Sequence, residues 1–403
     1  MTYEQRKGVL SDLLVLDLTR VVAGPYCGAM LGDFGALVIK IETPKGGDDA
    51  RNYAPHINGE SVYYANLNRN KQGITLNLKS EQGKAIFKKL AEKADVVIEN
   101  YRPGVMNRLG LSYEDVLRPL NKRLIYAAVS GFGSYGRDSD KPGYDIISQA
   151  AGGLMSITGE KGGEPTRSGN AMGDILGGTN LCIGILAALH AREKTGNGQR
   201  VDVSLVDSVV ASLENAYARY FYDGKIPARN GNAYASIAPY DSYRAKDGYV
   251  VIACGNQKLY ERLCVEFLNQ PELITDERFL TIPLRVEHNE ELKVHIEEKT
   301  KSLSIDEAVS MILALGIPAS PINDLSRIVS DAHIAKDRKM FVEIEHPVIG
   351  KWKVNGNPVK LMDAMPEITH PAPTLGQHNS KILGEFADID AKEIEELKNV
   401  GVL

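Results

Sequence analysis

The chain has 403 residues, of which 43% are hydrophobic and 25% are charged. This composition is typical of soluble globular proteins and unlike that of disordered or fibrous chains. The length exceeds the size at which a single hydrophobic core usually stops growing, so two domains are expected. The 47 Lys and Arg residues against 52 Asp and Glu residues give a net charge of −5. Because the basic residues are scattered, they do not predict the one-signed surface that nucleic-acid binding requires.

Cysteine usage and the N-terminal residues indicate the compartment. Cys27, Cys182, Cys254 and Cys264 are far apart and show no CxxC or histidine spacing, which disfavours both a zinc site and a disulfide framework. The first residues, MTYEQRKGVLSD, lack an apolar signal core, and no uninterrupted apolar run is long enough for a membrane span. We therefore expect a cytoplasmic protein with no metal, no membrane association and no nucleic-acid partner.

Short apolar runs recur through the first third of the chain and predict buried strands. They lie at residues 13–19, 36–42, 74–78, 95–100 and 123–130. Helical patterns lie between them, such as the segment that opens at Ser80 and places Ile86, Leu90 and Ala94 on one face. This alternation predicts a doubly wound, largely parallel α/β sheet of the Rossmann-like kind.

The composition changes after two further helical patterns, at 174–194 and 206–223. A polar loop at 226–239 precedes a turn-linked strand pair within 240–255. The later patterns are helical at 257–268 and 304–315 and strand-like at 341–354. These features predict a large domain at 1–224, a smaller α+β domain at 225–330, and a C-terminal segment at 331–403 that returns to the large domain.

Asp174 is the strongest candidate for a chemical role. In the text RSGNAMGDILGG it falls at or near the start of an apolar helix, where an aspartate taken alone is most simply a helix cap. Gly173, Gly177 and Gly178 reduce the side-chain bulk around it, as close approach by a large ligand would require. The helix dipole and free amides are expected to keep its carboxylate ionised and nucleophilic.

The motifs that precede Asp174 are individually weak but occur in a specific order. The block LDLTRVVAGPYCGAMLGDFGALVIKIETPKGGDDAR contains strands and Gly-rich turns but no GxGxxG, so a dinucleotide site is poorly supported. It is followed by NRNKQGITLNLKSEQGK, VVIENYRPGVMNRLG, SGFGSYG and KPGYDIISQAAGG. Together these motifs resemble the class III CoA-transferase (CaiB/BaiF) family over most of the chain. The stretch VVIACGNQKLYERLC is most similar to the oxalate-using members.

The resemblance implies a reaction and a partner. Asp174 would be the nucleophile that moves CoA from an acyl-CoA to a small carboxylic acid, through aspartyl anhydride and aspartyl-CoA thioester intermediates. The expected acceptor is oxalate or a short dicarboxylic or hydroxy acid. The family needs no tightly bound cofactor, because coenzyme A is itself a substrate, and it forms interlocked homodimers.

The resemblance also implies site residues. The acceptor pocket would be lined by Tyr144 and Asp145, by Val22 in a turn where the formyl-CoA enzyme has glutamine, and by Asn232 of a shortened glycine loop. The CoA-binding candidates are Arg108, Asn100 and the cations Lys71, Arg69 and Lys45. Fixed cations suit the CoA phosphates, although each lysine is equally consistent with a solvated surface charge.

Two alternatives use the same fold. An α-methylacyl-CoA racemase carries histidine where this chain has Tyr144, and a tyrosine with a pKa near 10 is a poor reversible base at neutral pH. A non-catalytic acyl-CoA-binding protein would need the cations and the pocket but no nucleophile. The presence of Asp174 therefore favours the transferase.

Overall fold

A computed structural model of the protein describes residues 7–403. The chain divides into two compact units. Unit 1 comprises the chain up to Leu154, Arg167–Asp223 and His333–Leu403, and unit 2 comprises Met155–Thr166 and Gly224–Ala332. The sequence-based division left residues 155–166 in the large domain, and its small domain at 225–330 is one residue shorter at the start and two residues shorter at the end than Gly224–Ala332.

The strands are β1 Leu14–Asp17, β2 Leu37–Glu42, β3 His56–Ile57, β4 Glu60–Ser61, β5 Lys71–Thr75, β6 Val96–Glu99, β7 Ile125–Ser130, β8 Arg200–Ser204, β9 Tyr240–Ala245, β10 Gly248–Ala253, β11 Ala319–Pro321, β12 Phe341–His346 and β13 Gly350–Asn355. The helices are α1 Ala23–Asp33, α2 Val62–Leu67, α3 Glu81–Lys93, α4 Val105–Arg108, α5 Arg118–Leu120, α6 Asp145–Ala151, α7 Leu154–Ile157, α8 Met172–Thr195, α9 Leu205–Ser212, α10 Glu214–Asp223, α11 Gln257–Arg262, α12 Ile282–Glu287, α13 Asn289–Thr300, α14 Ile305–Ala314, α15 Leu325–Ser330, α16 Asn379–Ala387 and α17 Ala391–Asn399. Short 3₁₀ or π-helical turns lie at Asp49–Asn52, Tyr113–Leu117, Leu263–Leu268, Pro271–Ile274 and Ala332–Asp337.

The main sheet of unit 1 has six strands in the order β5-β2-β1-β6-β7-β8. Each adjacent pair is parallel, and apolar clusters cover both of its faces. A parallel sheet buried on both faces requires strands that are apolar throughout. For this reason β1, β2, β6 and β7 could be predicted from apolar runs in the sequence. The predicted α/β class is confirmed.

Two strands departed from the prediction. The run predicted at 74–78 is β5, which begins earlier at Lys71, because a fully buried, ion-paired lysine reads as a surface residue in sequence. The edge strand β8 was missed since it begins with an exposed arginine and is only half-buried. Helix α3 has the predicted cap, in which Ser80 accepts a hydrogen bond from the Gly83 amide.

Helix α8 is the longest helix of unit 1 and carries Asp174 near its start. Its length and composition meet the criterion for a membrane-spanning helix, contrary to the expectation that no segment would. Its buried residues Leu181, Cys182, Ile185 and Ala188 belong to the core cluster on one face of the sheet. Packing within the unit therefore accounts for these four residues of the apolar window.

Unit 2 has a three-stranded antiparallel sheet in the order β11-β10-β9. The predicted strand pair is β9 and β10, joined by a tight turn at Lys246–Asp247. Its core is a single apolar cluster that includes Tyr243, Phe267 and Ile312. Arg285 lies within this unit, fully buried, with its guanidinium stacked 4.2 Å from the centre of the Tyr260 ring.

Candidate active site

The N-terminus of helix α8 is capped by a neighbouring helix and not by its own residues. Ala171 occupies the cap position and offers no side-chain hydrogen bond. Asp145, the first residue of α6, fills that role: its Oδ1 accepts from the Gly173 amide at 2.8 Å and from the Asp174 amide at 3.4 Å. Asp174 is the third residue of α8, so the helix-cap interpretation does not apply to it.

The carboxylate of Asp174 has no partner of its own. Among residues 7–403 no donor lies within hydrogen-bond distance of its oxygens, although the side chain is half-buried. Burial and the adjacent Asp145 carboxylate raise the pKa of Asp174 to about 7. The expectation that the helix N-terminus would keep this acid ionised was therefore wrong, because Asp145 takes the free amides of the first turn. An unpartnered carboxyl group that titrates near neutral pH is typical of a reactive site.

Asp145 is held firmly in place. Its Oδ2 accepts a hydrogen bond of 2.8 Å from the side-chain amide of Gln149, which is fully buried. The guanidinium of Arg167 lies 3.7 Å from the same oxygen. These contacts fix the Asp145 carboxylate where it accepts from the backbone amides of α8, so it positions the first turn of that helix beside Asp174.

The glycines around Asp174 serve packing instead of ligand approach. A Cβ atom on Gly173 would lie 2.1 Å from the Ser148 hydroxyl, and one on Gly178 would lie 2.4 Å from the Ala23 carbonyl oxygen. These distances are shorter than van der Waals contact, so α8 can approach α6 and α1 only where it lacks side chains. The sequence-based reason given for these glycines was wrong.

The turn before α1 is strained and tightly anchored. Val21 has a φ of +67°, a conformation that is costly for a β-branched residue. Its amide donates to Asp48 at 3.0 Å, and Asp48 forms a buried ion pair with Lys40 at 2.8 Å. Asn100 holds the adjacent Arg20 backbone, accepting from its amide at 2.8 Å and donating to its carbonyl at 2.7 Å.

Val22 and Asn100, both predicted as site residues, take part in the structure of this turn. The Val22 side chain is 5% exposed, so it belongs to the core and offers little surface to a ligand. The Asn100 side chain holds the turn through both of its polar atoms, and its contact with CoA stays a prediction. Since Ala23 contacts Gly178, the turn lies beside the first turns of α8.

Tyrosine side chains lie near Asp174 and Asp145. Burial raises the pKa of Tyr63, as do the carboxylates of Asp174 and Asp145 close to it. The Tyr53 ring packs edge-on against that of Tyr63, with centroids 5.6 Å apart. Tyr144 is 72% exposed and occupies the cap position before α6, which keeps its hydroxyl available to a ligand. Sequence analysis missed Tyr53 and Tyr63, whose only signal was an aromatic-rich polar segment at 53–64.

The predicted CoA-binding cations fall into two groups. Lys71 is fully buried and donates to Asp17 at 2.8 Å, and Arg69 is 4% exposed and pairs with Asp33 at 2.7 Å. Both are structural, so their assignment to CoA phosphates was wrong. Arg108 and Lys45 are exposed, and their side chains have no partner within residues 7–403. They remain predictions for CoA binding.

Asn232 belongs to unit 2, where its side-chain amide donates to the Ser242 hydroxyl at 2.9 Å. Its role in the acceptor pocket stays a prediction. Within the described part of the chain, no group of three or more His, Cys, Asp or Glu side chains is arranged to hold a metal ion.

Comparison with known proteins assigns the family. A model described as CoA-transferase family III matches residues 10–379. This chain belongs to the class III CoA-transferase family. It is 40% identical over 388 residues to the acetyl-CoA:oxalate CoA-transferase of Acetobacter aceti, covering 96% of this chain and 98% of the relative.

Two further comparisons agree with this assignment. The human succinyl-CoA:glutarate CoA-transferase is 38% identical, with coverage of 98% of this chain and 90% of the relative. The crystal structure of a CaiB/BaiF family protein from Brucella suis superposes with a TM-score of 0.83 at 37% identity, covering 94% of this chain and all of the other. As a member of this family, the protein is an enzyme that transfers CoA between acyl-CoA and carboxylates.

Proposed function

We propose that this CoA-transferase moves CoA from an acyl-CoA to a small dicarboxylic or hydroxycarboxylic acid, with Asp174 as the covalent nucleophile. The main support is the half-buried, unpartnered carboxylate of Asp174, whose pKa is raised to about 7 by burial and by Asp145. A nucleophile needs an unoccupied lone pair and a protonation state that is accessible at neutral pH.

The reaction runs as a series of acyl transfers. An Asp174 oxygen attacks the thioester carbonyl, the C–S bond breaks, and CoA thiolate leaves an acyl-aspartyl anhydride. The thiolate attacks the Asp174 side-chain carbonyl, so the donor acid departs and an aspartyl-CoA thioester forms. The acceptor carboxylate attacks that thioester, releasing thiolate and forming a second anhydride. The thiolate then attacks the acceptor carbonyl, which regenerates the Asp174 carboxylate with no net change in protons.

The neighbourhood of Asp174 also bears on the racemase alternative. Racemisation needs paired groups that exchange a proton with the α-carbon. Asp145 is already hydrogen-bonded to backbone amides of α8 and to Gln149, and the preceding residue is Tyr144 instead of a histidine. Transfer is therefore the better-supported chemistry for these side chains.

The proposal is tested by mixing the protein with acetyl-CoA or succinyl-CoA and a panel of acids that includes oxalate, glutarate, succinate and lactate. Chromatography of the CoA esters should show a new acyl-CoA formed in step with loss of the donor ester. Hydrolysis to free CoA without formation of a new ester, for every acid, would contradict the proposal.

The pH dependence of turnover follows from the raised pKa of Asp174. Only the ionised carboxylate attacks the thioester, so kcat/KM for the acyl-CoA should fall as pH drops through about 7 and level off above it. Below the midpoint we expect about a tenfold loss for each pH unit. A profile that stays flat from pH 5 to pH 8, measured with the chemical step rate-limiting, would contradict this assignment.

We further propose that the enzyme acts as a homodimer, interlocked as in the resemblance described above. Helix α10 exposes Phe221 and Tyr222 at 78% and 91%, and α8 exposes Ile183 at 58%. Large exposed apolar side chains are typical of association surfaces. Another copy of this chain is the partner that we expect there.

A further inference from the structure

Arg167 places a cation close to the nucleophile. It lies in the loop that leads into α8, and its side chain is 44% exposed. Its contacts are long: Nη1 lies 3.5 Å from the Asn170 carbonyl oxygen and 3.7 Å from Asp145 Oδ2, and Nη2 lies 3.4 Å from the Gly169 carbonyl oxygen. Since a guanidinium carries five N–H donors, most of its capacity to bind an anion remains available.

The backbone of this loop is fixed although the guanidinium is loosely held. The buried Gln149 side chain accepts from the Ser168 amide at 3.0 Å and from its hydroxyl at 3.2 Å. Gln149 also donates to Asp145. One buried side chain thus sets the position of Arg167 relative to the carboxylate that orients α8. A cation on such a support is preorganised for a ligand.

Asp145 separates the guanidinium from Asp174. One oxygen of Asp145 faces Arg167, and the other accepts from the amides of Gly173 and Asp174. Arg167 makes no hydrogen bond to the Asp174 carboxylate, so it does not neutralise the nucleophile. Through Asp145 the cation is thus held at the first turn of α8, from which the Asp174 side chain extends. A diacid that reacts at Asp174 would have this guanidinium in its neighbourhood.

A cation near Asp174 would offset the negative charge that a dicarboxylic acceptor brings to the site. Asp174 and Asp145 place two carboxylates together, and an acceptor with a second carboxylate would add another. Burying that charge without a cationic partner is costly. A guanidinium binds a carboxylate through two parallel N–H donors, which gives both energy and orientation. Oxalate and glutarate, which appear in the names of two relatives, both carry two carboxylates.

We propose that Arg167 binds the distal carboxylate of a dicarboxylic acceptor while the other carboxylate reacts at Asp174, and that it thereby sets the preference for diacids. The inference rests on the proposed function, because it assigns a residue to the acceptor of that reaction. Sequence analysis placed Tyr144 and Asn232 in the acceptor pocket, and it missed Arg167 because a single arginine in a polar loop has no distinctive signal.

The test compares each diacid with its monoamide, which keeps the shape and removes one charge. The pairs are oxalate and oxamate, succinate and succinamate, and glutarate and glutaramate, with one acyl-CoA donor throughout. The variants are Arg167→Gln, Arg167→Lys and a control, Arg118→Gln. The control removes an arginine of similar exposure in unit 1 that pairs only with Glu114.

For the diacid that the wild-type enzyme uses best, we expect Arg167→Gln to lower kcat/KM about 100-fold, since a charge-assisted, bidentate contact is lost. The value for the matching monoamide should change less than about threefold, as should KM for the acyl-CoA. Arg167→Lys should fall between wild type and Arg167→Gln. Arg118→Gln should behave as wild type with both acids.

Equal losses for the diacid and its monoamide in Arg167→Gln would overturn the proposal, because they would show a structural role acting through Asp145. Unchanged use of the diacid would also overturn it. If Arg167→Gln does not fold, the diacid and its monoamide are compared in Arg167→Lys instead. Equal effects on the two acids in that variant would also contradict the proposal. Failure of the wild-type enzyme to transfer CoA to any acid would overturn the proposed function itself, which makes that outcome distinct.

Discussion

Replacing Asp174 by asparagine should abolish CoA transfer, with kcat at least about 10⁴-fold lower than in the wild type. The amide cannot form the aspartyl anhydride or the aspartyl-CoA thioester, so the whole sequence of acyl transfers stops at its first step. Binding of acyl-CoA should persist, because the expected coenzyme contacts lie elsewhere, at Arg108 and Lys45.

The same substitution should stabilise the fold at alkaline pH. Burial raises the pKa of Asp174 from 3.8 to about 7, so the folded protein favours the protonated acid and loses stability as pH rises through 7. A shift of this size corresponds to roughly 4 kcal/mol at full burial, and the residual exposure of the side chain reduces the expected gain to about 2 kcal/mol. Below pH 4 the two proteins should unfold alike.

Asp207 offers a matched control for this experiment. It is also the third residue of a helix in unit 1, α9, but it is exposed. Asp207→Asn should therefore keep its activity and gain no stability at pH 8. The account of Asp174 would be contradicted by a variant that retains substantial turnover, or by one whose thermal stability is lower than that of wild type at every pH.

Replacing Lys71 by methionine should reduce the free energy of unfolding by about 3–5 kcal/mol, because it leaves Asp17 buried without its counter-ion. Lys71 and Asp17 are both fully buried and 2.8 Å apart. The Lys71 ammonium also donates to the Pro25 carbonyl and to Asn68, at 2.9 Å each. Burial lowers its pKa to about 8, so it is still mainly protonated at pH 7. Urea denaturation followed by fluorescence would measure the loss.

Comparing Lys71→Met with Arg108→Ala distinguishes a loss of stability from a loss of acyl-CoA binding. Arg108→Ala should leave stability within about 0.5 kcal/mol and raise KM for acyl-CoA about tenfold or more. In Lys71→Met, measured where it is still folded, KM for acyl-CoA should stay close to the wild-type value. Adding Asp17→Asn should recover part of the lost stability, since the unpaired charge is then removed. A selective rise in KM with no loss of stability would instead support a CoA contact for Lys71.

The parts of the fold that sequence predicted are those dominated by burial. Strands β1 and β7 are apolar because both of their faces are covered. Helix α3 is predicted by its cap residue Ser80 and its apolar face. Strand β5 was misplaced because Lys71 is charged and yet fully buried. No local pattern reveals that its partner is Asp17, 54 residues earlier in the chain.

The sequence pointed to Asp174 as the candidate nucleophile, but it did not predict the arrangement of side chains around that residue. Asp174 was found through ordered motifs and a small-residue turn. Its ionisation was misjudged because the helix amides are taken by Asp145, which lies 28 residues before Gly173. Tyr63 and Arg167 come from separate segments that only the folded chain brings near Asp174 and Asp145. The spacing of these residues along the sequence does not reveal that the fold brings their side chains together.

Mass spectrometry of the enzyme quenched during turnover with acyl-CoA would show whether Asp174 carries CoA covalently. After acid quench and proteolysis, the peptide that contains Asp174 should gain the mass of CoA less one water, and the adduct should disappear with hydroxylamine. The adduct should be absent from Asp174→Asn. Transfer of CoA between acids while the Asp174 peptide stays unmodified, or an adduct on any other carboxylate, would contradict the account.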